Sequence, residues 1–283
     1  MILLTHAHID HSGLVPRLVK QGFKGPVYCT RPTLDLLDIM LRDSAHIQEM
    51  EAEWTNRKRS RQGQPLVDAL YTEEDASAAI ALLSPAAYDI FWEPAPGVKV
   101  RYRDAGHILG SAFLELEVSE EGGLVRLLFS GDLGRTDALI VNNPFEPSES
   151  YDCLFMESTY GNRDHKNEDK SRDELAEAIR YSYDKGEKTI IPAFAVERTQ
   201  EILFVLHMLH KEGRLPDDMP VYVDSPLAIK ATEIFSRHDK FFDSKAKAIT
   251  EAGDNPFSVP GLVYTPKTED SRAINERKGP GIV

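Results

Sequence analysis

Apolar positions along the chain fall into two regimes. Over roughly the first 167 residues, short apolar runs predict strands at 2–5, 27–29, 98–104, 112–118, 124–130 and 153–157. Phe113, Glu115 and Glu117 alternate with Leu114, Leu116 and Val118, the period of a strand with two unlike faces. Ser119-Glu120-Glu121-Gly122-Gly123 then reads as a hairpin turn. Leu34, Leu37, Leu41, Ile47 and Met50 recur at helical spacing and predict a long helix over 33–59. Thr72-Glu73-Glu74-Asp75 resembles a capping box that opens a second helix, running to Leu83.

From about Asp169 the pattern becomes regular. Helices are predicted at 173–184, 197–212, 227–237 and 269–278, and strands at 188–192, 221–224 and 262–264. Strands alternating with helices of this length imply βαβ units on a parallel sheet. A domain boundary is therefore expected near residue 165. Met1-Ile2-Leu3-Leu4-Thr5 reads as a buried strand without a lead-in, and Gly279-Pro280-Gly281-Ile282-Val283 as a turn entering a new strand. Strands need neighbours, so both ends are expected to lie inside a fold.

Composition acts mainly by exclusion. The 283 residues are 41% hydrophobic and 28% charged, which suits a globular core and rules out collagen-like, disulfide-rich and disordered classes. No apolar run reaches the length of a membrane span, and no secretory leader is evident, so a cytoplasmic location is expected. With 33 Lys and Arg against 46 Asp and Glu, the net charge is −13, which argues against a broad basic nucleic-acid surface. Bound cations could still supply a grip on phosphate. The dense positive cluster Arg57-Lys58-Arg59-Ser60-Arg61 has two readings: a helix C-terminus suited to the macrodipole, or a nucleic-acid contact. Cys29 and Cys153 are expected to be two buried, reduced thiols rather than a disulfide.

The informative segment is Thr5-His6-Ala7-His8-Ile9-Asp10-His11-Ser12-Gly13, directly after an apolar strand. Imidazole and carboxylate are the ligands zinc prefers where water must also bind. The H-x-H-x-D-H spacing crowds a single ion but can split, with His6 and His8 on one metal and Asp10 and His11 on another. Two ions about 3.5–4 Å apart can share a hydroxide and polarise a phosphodiester.

This segment resembles the signature of the metallo-β-lactamase fold. The resemblance implies two further ligands: His107 in Ala105-Gly106-His107-Ile108-Leu109-Gly110, and Asp132 in Ser130-Gly131-Asp132-Leu133-Gly134, the latter bridging both metals. Phe155-Met156-Glu157-Ser158-Thr159-Tyr160-Gly161 resembles the acidic motif that opens the β-CASP insertion of nucleases of this fold. Pro192-Ala193-Phe194-Ala195-Val196-Glu197-Arg198-Thr199-Gln200 and Val223-Asp224-Ser225-Pro226 are similar to the RNA-processing branch, which includes the pre-mRNA 3′-end endonuclease and its bacterial and archaeal relatives.

The resemblance implies an α/β protein with a partial αββα metallo-β-lactamase fold over residues 1–165. An inserted β-CASP domain on a parallel sheet would follow over 166–283, with substrate in the cleft between them. It implies hydrolysis of single-stranded RNA by a hydroxide bridging two Zn²⁺ ions, with Asp10, Asp132 and Glu157 in catalytic roles. His6, His8 and His107 would hold one ion and Asp10, His11 and Asp132 the other. Glu157 would stand behind the ligands and orient water or a histidine. Two histidines that the family carries after its insertion have no counterpart beyond His238, so a ligand, a proton donor and both ends are expected to be missing. Arg198 could contact phosphate or form a salt bridge at a helix N-terminus. Ser158 could contact phosphate or cap a turn, and His165 is a candidate at the site's edge. His207 and His210 are expected to be structural, and His46 and His238 to be surface residues. A homodimer is a candidate assembly, and no membrane partner is expected. Rival readings are a small-molecule hydrolase, a single-stranded DNA nuclease, and a non-catalytic scaffold of an RNA-processing complex.

Overall fold

The computed structural model describes residues 1–136, 138–163 and 168–283. The chain divides into two compact units, Met1–Thr136 with Asn143–Glu157, and Asp137–Asn142 with Ser158–Val283.

The first unit opens with β1 (Ile2–Leu3), the short helices α1 (Ile9–Ser12) and α2 (Val15–Lys20), and β2 (Val27–Thr30). The long helix α3 (Arg31–Arg61), α4 (Glu73–Ile80) and β3 (Leu83–Ala86) follow, then β4 (Trp92–Ala95), β5 (Val98–Asp104), β6 (Ala112–Glu120), β7 (Gly123–Phe129) and β8 (Cys153–Phe155). Strands β1, β2 and β3 form a parallel sheet in that order. Strands β4 to β8 form a second sheet in sequence order, antiparallel except for the parallel β7–β8 pair.

Alternation along β5 and β6 decides how these sheets pack. Val100, Tyr102, Ala112 and Leu114 point to one face, where Leu3 and Ala86 of the parallel sheet pack against them. Trp92 stacks on Tyr102 at 5.5 Å, and the Tyr102 hydroxyl donates to the Tyr28 carbonyl at 2.8 Å. Arg101, Arg103 and Glu115 take the opposite face. There the buried Glu115 carboxylate accepts from Arg101, from Arg103 at 3.0 Å and from the Tyr151 hydroxyl. Thr30 caps α3, and Thr72 with Asp75 completes the predicted capping box on α4. The predicted hairpin joins β6 to β7 through the Glu120–Gly123 pair.

The second unit runs α5 (Glu168–Lys185), β9 (Lys188–Thr189), α6 (Arg198–Lys211), β10 (Val221–Val223), α7 (Pro226–Arg237), α8 (Ser244–Glu251), β11 (Leu262–Tyr264), α9 (Thr268–Glu276) and β12 (Gly281–Ile282). Its four strands are all parallel, in the order β11-β10-β12-β9. Leu203 and Leu206 of α6 and Ile234 and Phe235 of α7 are buried in this unit. Gln200 ties the two helices, its amide donating to Thr232 Oγ1 at 2.9 Å.

Several expectations need correction. The helix predicted to reach Leu83 ends at Ile80, and Leu83 instead starts β3. Strand 188–192 shortens to Lys188–Thr189: Ile191 still donates to Val283 O at 2.7 Å, but Pro192 has no N–H with which to continue. Cys153 is exposed, because β8 is an edge strand paired only to β7; Cys29 alone is buried, and both thiols are free. His238 is buried rather than superficial, since it closes α7 and lies against Phe241. Among the described residues no helix is long and apolar enough to cross a membrane.

Candidate metal centre

The chain leaves β1 and immediately turns. Leu4 N–H still donates to Tyr28 O, and Thr5 O accepts from Ala112 N–H, so the parallel sheet and β6 together hold the segment that carries His6. His8 is the N-cap of α1, and the Ser12 hydroxyl returns to His8 O at 2.9 Å. This one-turn helix leaves Asp10 exposed but keeps His11 close to His6, their ring centroids 4.2 Å apart.

His107 sits on the loop after β5. Ser111 Oγ accepts the His107 N–H at 3.0 Å and the Ile108 N–H at 3.2 Å. The Gly110 carbonyl accepts hydroxyl bonds from Thr30 at 2.6 Å and Thr33 at 2.8 Å, tying this loop to the start of α3. Asp132 follows β7 in a turn where Gly131 has φ +56°. Gly134 packs so tightly that a Cβ there would lie 1.9 Å from Gly106 O. Only glycine admits this contact between the two ligand-bearing loops.

These elements bring His6, His8, His107 and Asp132 together, with one ligand atom of each within 4.8 Å of all the others. His107 Nε2 stands 3.2 Å from His8 Nδ1. Asp132 Oδ2 faces His107 Nε2 at 3.4 Å and His6 Nε2 at 3.6 Å, while its Oδ1 faces His11 Nε2 at 3.1 Å. The two oxygens of one carboxylate thus address different histidines, Oδ2 facing His6 and His107 and Oδ1 facing His11. Asp10 is 3.6 Å from His11, its side chain 76% exposed, so the Asp10–His11 side is the more open.

The chemistry of the donors fits a metal. His6 is fully buried, its Nδ1 is 3.1 Å from the Thr5 hydroxyl, and its Nε2 is a buried nitrogen without a hydrogen-bond partner. Burial, reinforced by His11, His8 and His107, pushes the His6 pKa down to about 2. Burial also lowers His8, against the upward pull of Asp10 and Asp132, and lowers His107, aided by His8. The three rings are therefore neutral near pH 7, the form in which imidazole ligates.

Glu157 lies beside this cluster. Its Oε1 accepts the Leu133 N–H at 2.8 Å and its own N–H donates to Ser130 Oγ at 3.2 Å, so it fixes the backbone next to Asp132. Ser158 is exposed and its carbonyl closes a turn by accepting from Gly161 N–H. Arg198, in the second unit, begins α6 and pairs with Glu201 at 2.7 Å; the preceding Glu197 has φ +68°. His165 lies outside the described residues. His207 is structural as expected, its Nδ1 2.8 Å from Ser258 O. Thr30, Thr33, Ser111 and Gly134 support the site from positions that no pattern of ligand-type residues marks.

Comparison with known proteins adds the family. A model described as the metallo-beta-lactamase superfamily matches residues 2–185. The chain belongs to that superfamily. A Beta-Casp domain model matches residues 199–283, so this metallo-β-lactamase protein carries both domains and the mixed α/β architecture expected of them. It is 35% identical over 282 residues to Ribonuclease TTHA0252 of Thermus thermophilus, covering 100% of this chain and 59% of that protein. Transcription termination factor FttA of Methanocaldococcus jannaschii is 29% identical over 285 residues, covering 100% of this chain and 42% of the factor. FttA of Thermococcus kodakarensis is 31% identical over 290 residues, covering 100% and 41%. The chain thus spans about half the length of these relatives.

Proposed function

We propose that this chain carries the metal centre of a zinc-dependent ribonuclease that hydrolyses phosphodiester bonds in single-stranded RNA. The observation that carries the reading is the Asp132 carboxylate, whose Oδ2 faces His6 and His107 while its Oδ1 faces His11. Residues 1–165 would form the metallo-β-lactamase domain and residues 166–283 the β-CASP domain. His6, His8 and His107 would hold one zinc ion, and Asp10, His11 and Asp132 the second, with Asp132 shared. Zinc, when bound, supplies a Lewis acid that acidifies water and polarises a phosphoryl oxygen.

The protein's own groups position this chemistry. Neutral His6, His8 and His107 keep lone pairs available without a proton to displace. Glu157 holds the Leu133 amide and so steadies Asp132. Arg198 would exchange its pairing with the Glu201 carboxylate for a phosphate of the RNA, since a guanidinium serves both bidentately. Ser158 and His165 would line the path of the strand. The relatives, a ribonuclease and transcription termination factors, support RNA as the substrate. A cytoplasmic location accords with that reading.

The test is cleavage of matched single-stranded RNA and DNA with zinc, beside Asp132→Asn. The expected result is RNA cut, DNA spared, and at least a hundredfold loss in the variant, the scale of ligand-shell defects. Equal cutting of DNA would replace the substrate assignment with that of a DNA nuclease. Zinc binding without cleavage of either, in a chain extended at both ends, would favour the scaffold reading. An Asp132→Asn protein that cuts like the parent would end the metal-centre reading.

A further inference from the structure

The basic cluster at 57–61 plays no part in the site above, and its place in the fold gives it another use. All the buried residues of α3, from Pro32 to Ala45, lie in its first half. The sixteen residues beyond, 46–61, bury no side chain fully and extend for about 24 Å at the helical rise. This arm is nevertheless built. The segment after it runs back along one side: Asn56 exchanges two 2.8 Å hydrogen bonds with the Val67 backbone, Arg59 donates to Pro65 O, and Ser44 meets Tyr71 at 2.7 Å.

The side left open carries Ile47, Met50 and Trp54, which are 47%, 56% and 69% exposed. Arg57 and Arg61 continue the same stripe. Spacings of three, four, three and four residues mark a coiled-coil seam. An exposed apolar stripe centred on tryptophan is a contact surface in search of a partner. Charge is sorted along it: exposed Glu51 and Glu53 lie toward the body, and exposed Arg57, Lys58 and Arg61 toward the tip. The 2.6 Å bond between Arg57 and Glu53 joins the two zones within the helix but is solvent-exposed and weak.

We propose that this arm is a dimerisation surface whose partner is the same arm of a second copy, laid antiparallel. Antiparallel pairing about Trp54 sets the acidic zone of each arm against the basic tip of the other, with Trp54 on Trp54 and the apolar stems of Arg57 and Arg61 over Met50 and Ile47. It is a two-fold, self-complementary arrangement. Parallel pairing would set like charge on like. A nucleic-acid strand would meet Glu51 and Glu53 beside the very stripe on which its bases would stack. The acidic half thus favours a protein partner that returns opposite charge in reverse order, and the arm itself has that order.

Sedimentation equilibrium across micromolar concentrations tests the assignment independently of any ribonuclease activity. The protein is expected to dimerise reversibly, and Trp54→Glu to weaken association about thirtyfold or more, as loss of a tryptophan hot spot does. Glu51→Lys with Glu53→Lys, and Arg57→Glu with Lys58→Glu, should each give monomers. All four substitutions in one chain should restore the dimer, a recovery that damage to the fold could not produce. Circular dichroism would check that each variant keeps its helix. A parent that stays monomeric, a dimer indifferent to Trp54→Glu, or a four-fold variant that stays monomeric would overturn the proposal. So would single-stranded RNA quenching Trp54 fluorescence in a monomeric parent, which would make the arm an RNA contact.

Discussion

Gly134 shows how tightly individual residues are set around the metal centre. A methyl group there has nowhere to go, because the Gly106 backbone is already in contact. Gly134→Ala is expected to cost about 2–3 kcal/mol, as overpacking does, and to abolish zinc binding by separating the His107 and Asp132 loops. Gly63, unlike Gly134, has positive φ (+64°), and open space surrounds it. Gly63→Ala should therefore cost only about 1 kcal/mol, the left-handed backbone penalty, and leave zinc binding intact. Urea titrations paired with calorimetric zinc titrations would separate the two cases; equal effects would mean that the close approach is not what holds the loops. The cysteines give a second contrast. Burial, with Asp35 nearby, pushes the Cys29 thiol up to about 12, whereas Cys153 is exposed. One thiol per chain should react with a disulfide reagent in the native 283-residue protein and a second only after denaturation. Residues of this kind also mark what the sequence could reveal. His6, His8, Asp10 and His11 are visible as ligand-type side chains bunched within six positions. Thr30 and Thr33 are ordinary hydroxyl residues whose importance comes from chain segments some eighty positions apart meeting in space.

Among elements, legibility follows periodicity. Helices α3, α6 and α7 and the hairpin β6–β7 announce themselves by repeats of apolar positions long enough to count. Strands β3 and β4 do not, since Leu-Ser-Pro-Ala and Trp-Glu-Pro-Ala each contain a proline and little alternation. Both are edge strands, where a missing N–H is tolerated. Helices α1, α2 and α8 are too short to show a period. The alternation in β6 separates Glu115 from the Leu114 face but gives no sign that Arg101, Arg103 and Tyr151 enclose it. This enclosure sets a pH dependence. Burial alone would raise the Glu115 pKa, but the Tyr151 hydroxyl and the two guanidinium groups outweigh it and hold the carboxyl below its usual range. A depressed folded-state pKa contributes stability that is complete above the unfolded value, about 4.3, and is lost as pH falls through the folded value. Glu115→Ala, which leaves Arg101 only Glu149 and Arg103 only the exposed Asp89, should cost about 3 kcal/mol at pH 7. Glu115→Gln should flatten the acid limb of the stability curve below the unfolded carboxyl value. An unchanged acid limb would show that other carboxylates dominate acid unfolding.

At the scale of the whole molecule, the division of labour between the two units makes the zinc reading testable without any assay of activity. All six proposed ligands, His6, His8, Asp10, His11, His107 and Asp132, belong to the first unit. The histidines of α6 are engaged otherwise, His207 with Ser258 O at 2.8 Å and His210 beside Asp217 at 3.8 Å. A ligand that binds only the native state stabilises what it binds to, by about 2.7 kcal/mol at a hundred times its dissociation constant. Zinc should therefore slow amide hydrogen exchange around residues 4–13, 104–111 and 130–134, where the ligand loops are fastened to β5, β7 and the start of α3. Exchange in α6 and α7 should not respond at those concentrations. Asp132→Asn should remove the protection from all three segments together, because its carboxylate faces His6, His107 and His11 at once. Protection of only the segments holding His6, His8 and His107, surviving Asp132→Asn, would instead indicate a single ion on three imidazoles. Protection centred on His207 and His210 would place the metal in the wrong unit and reject the centre altogether.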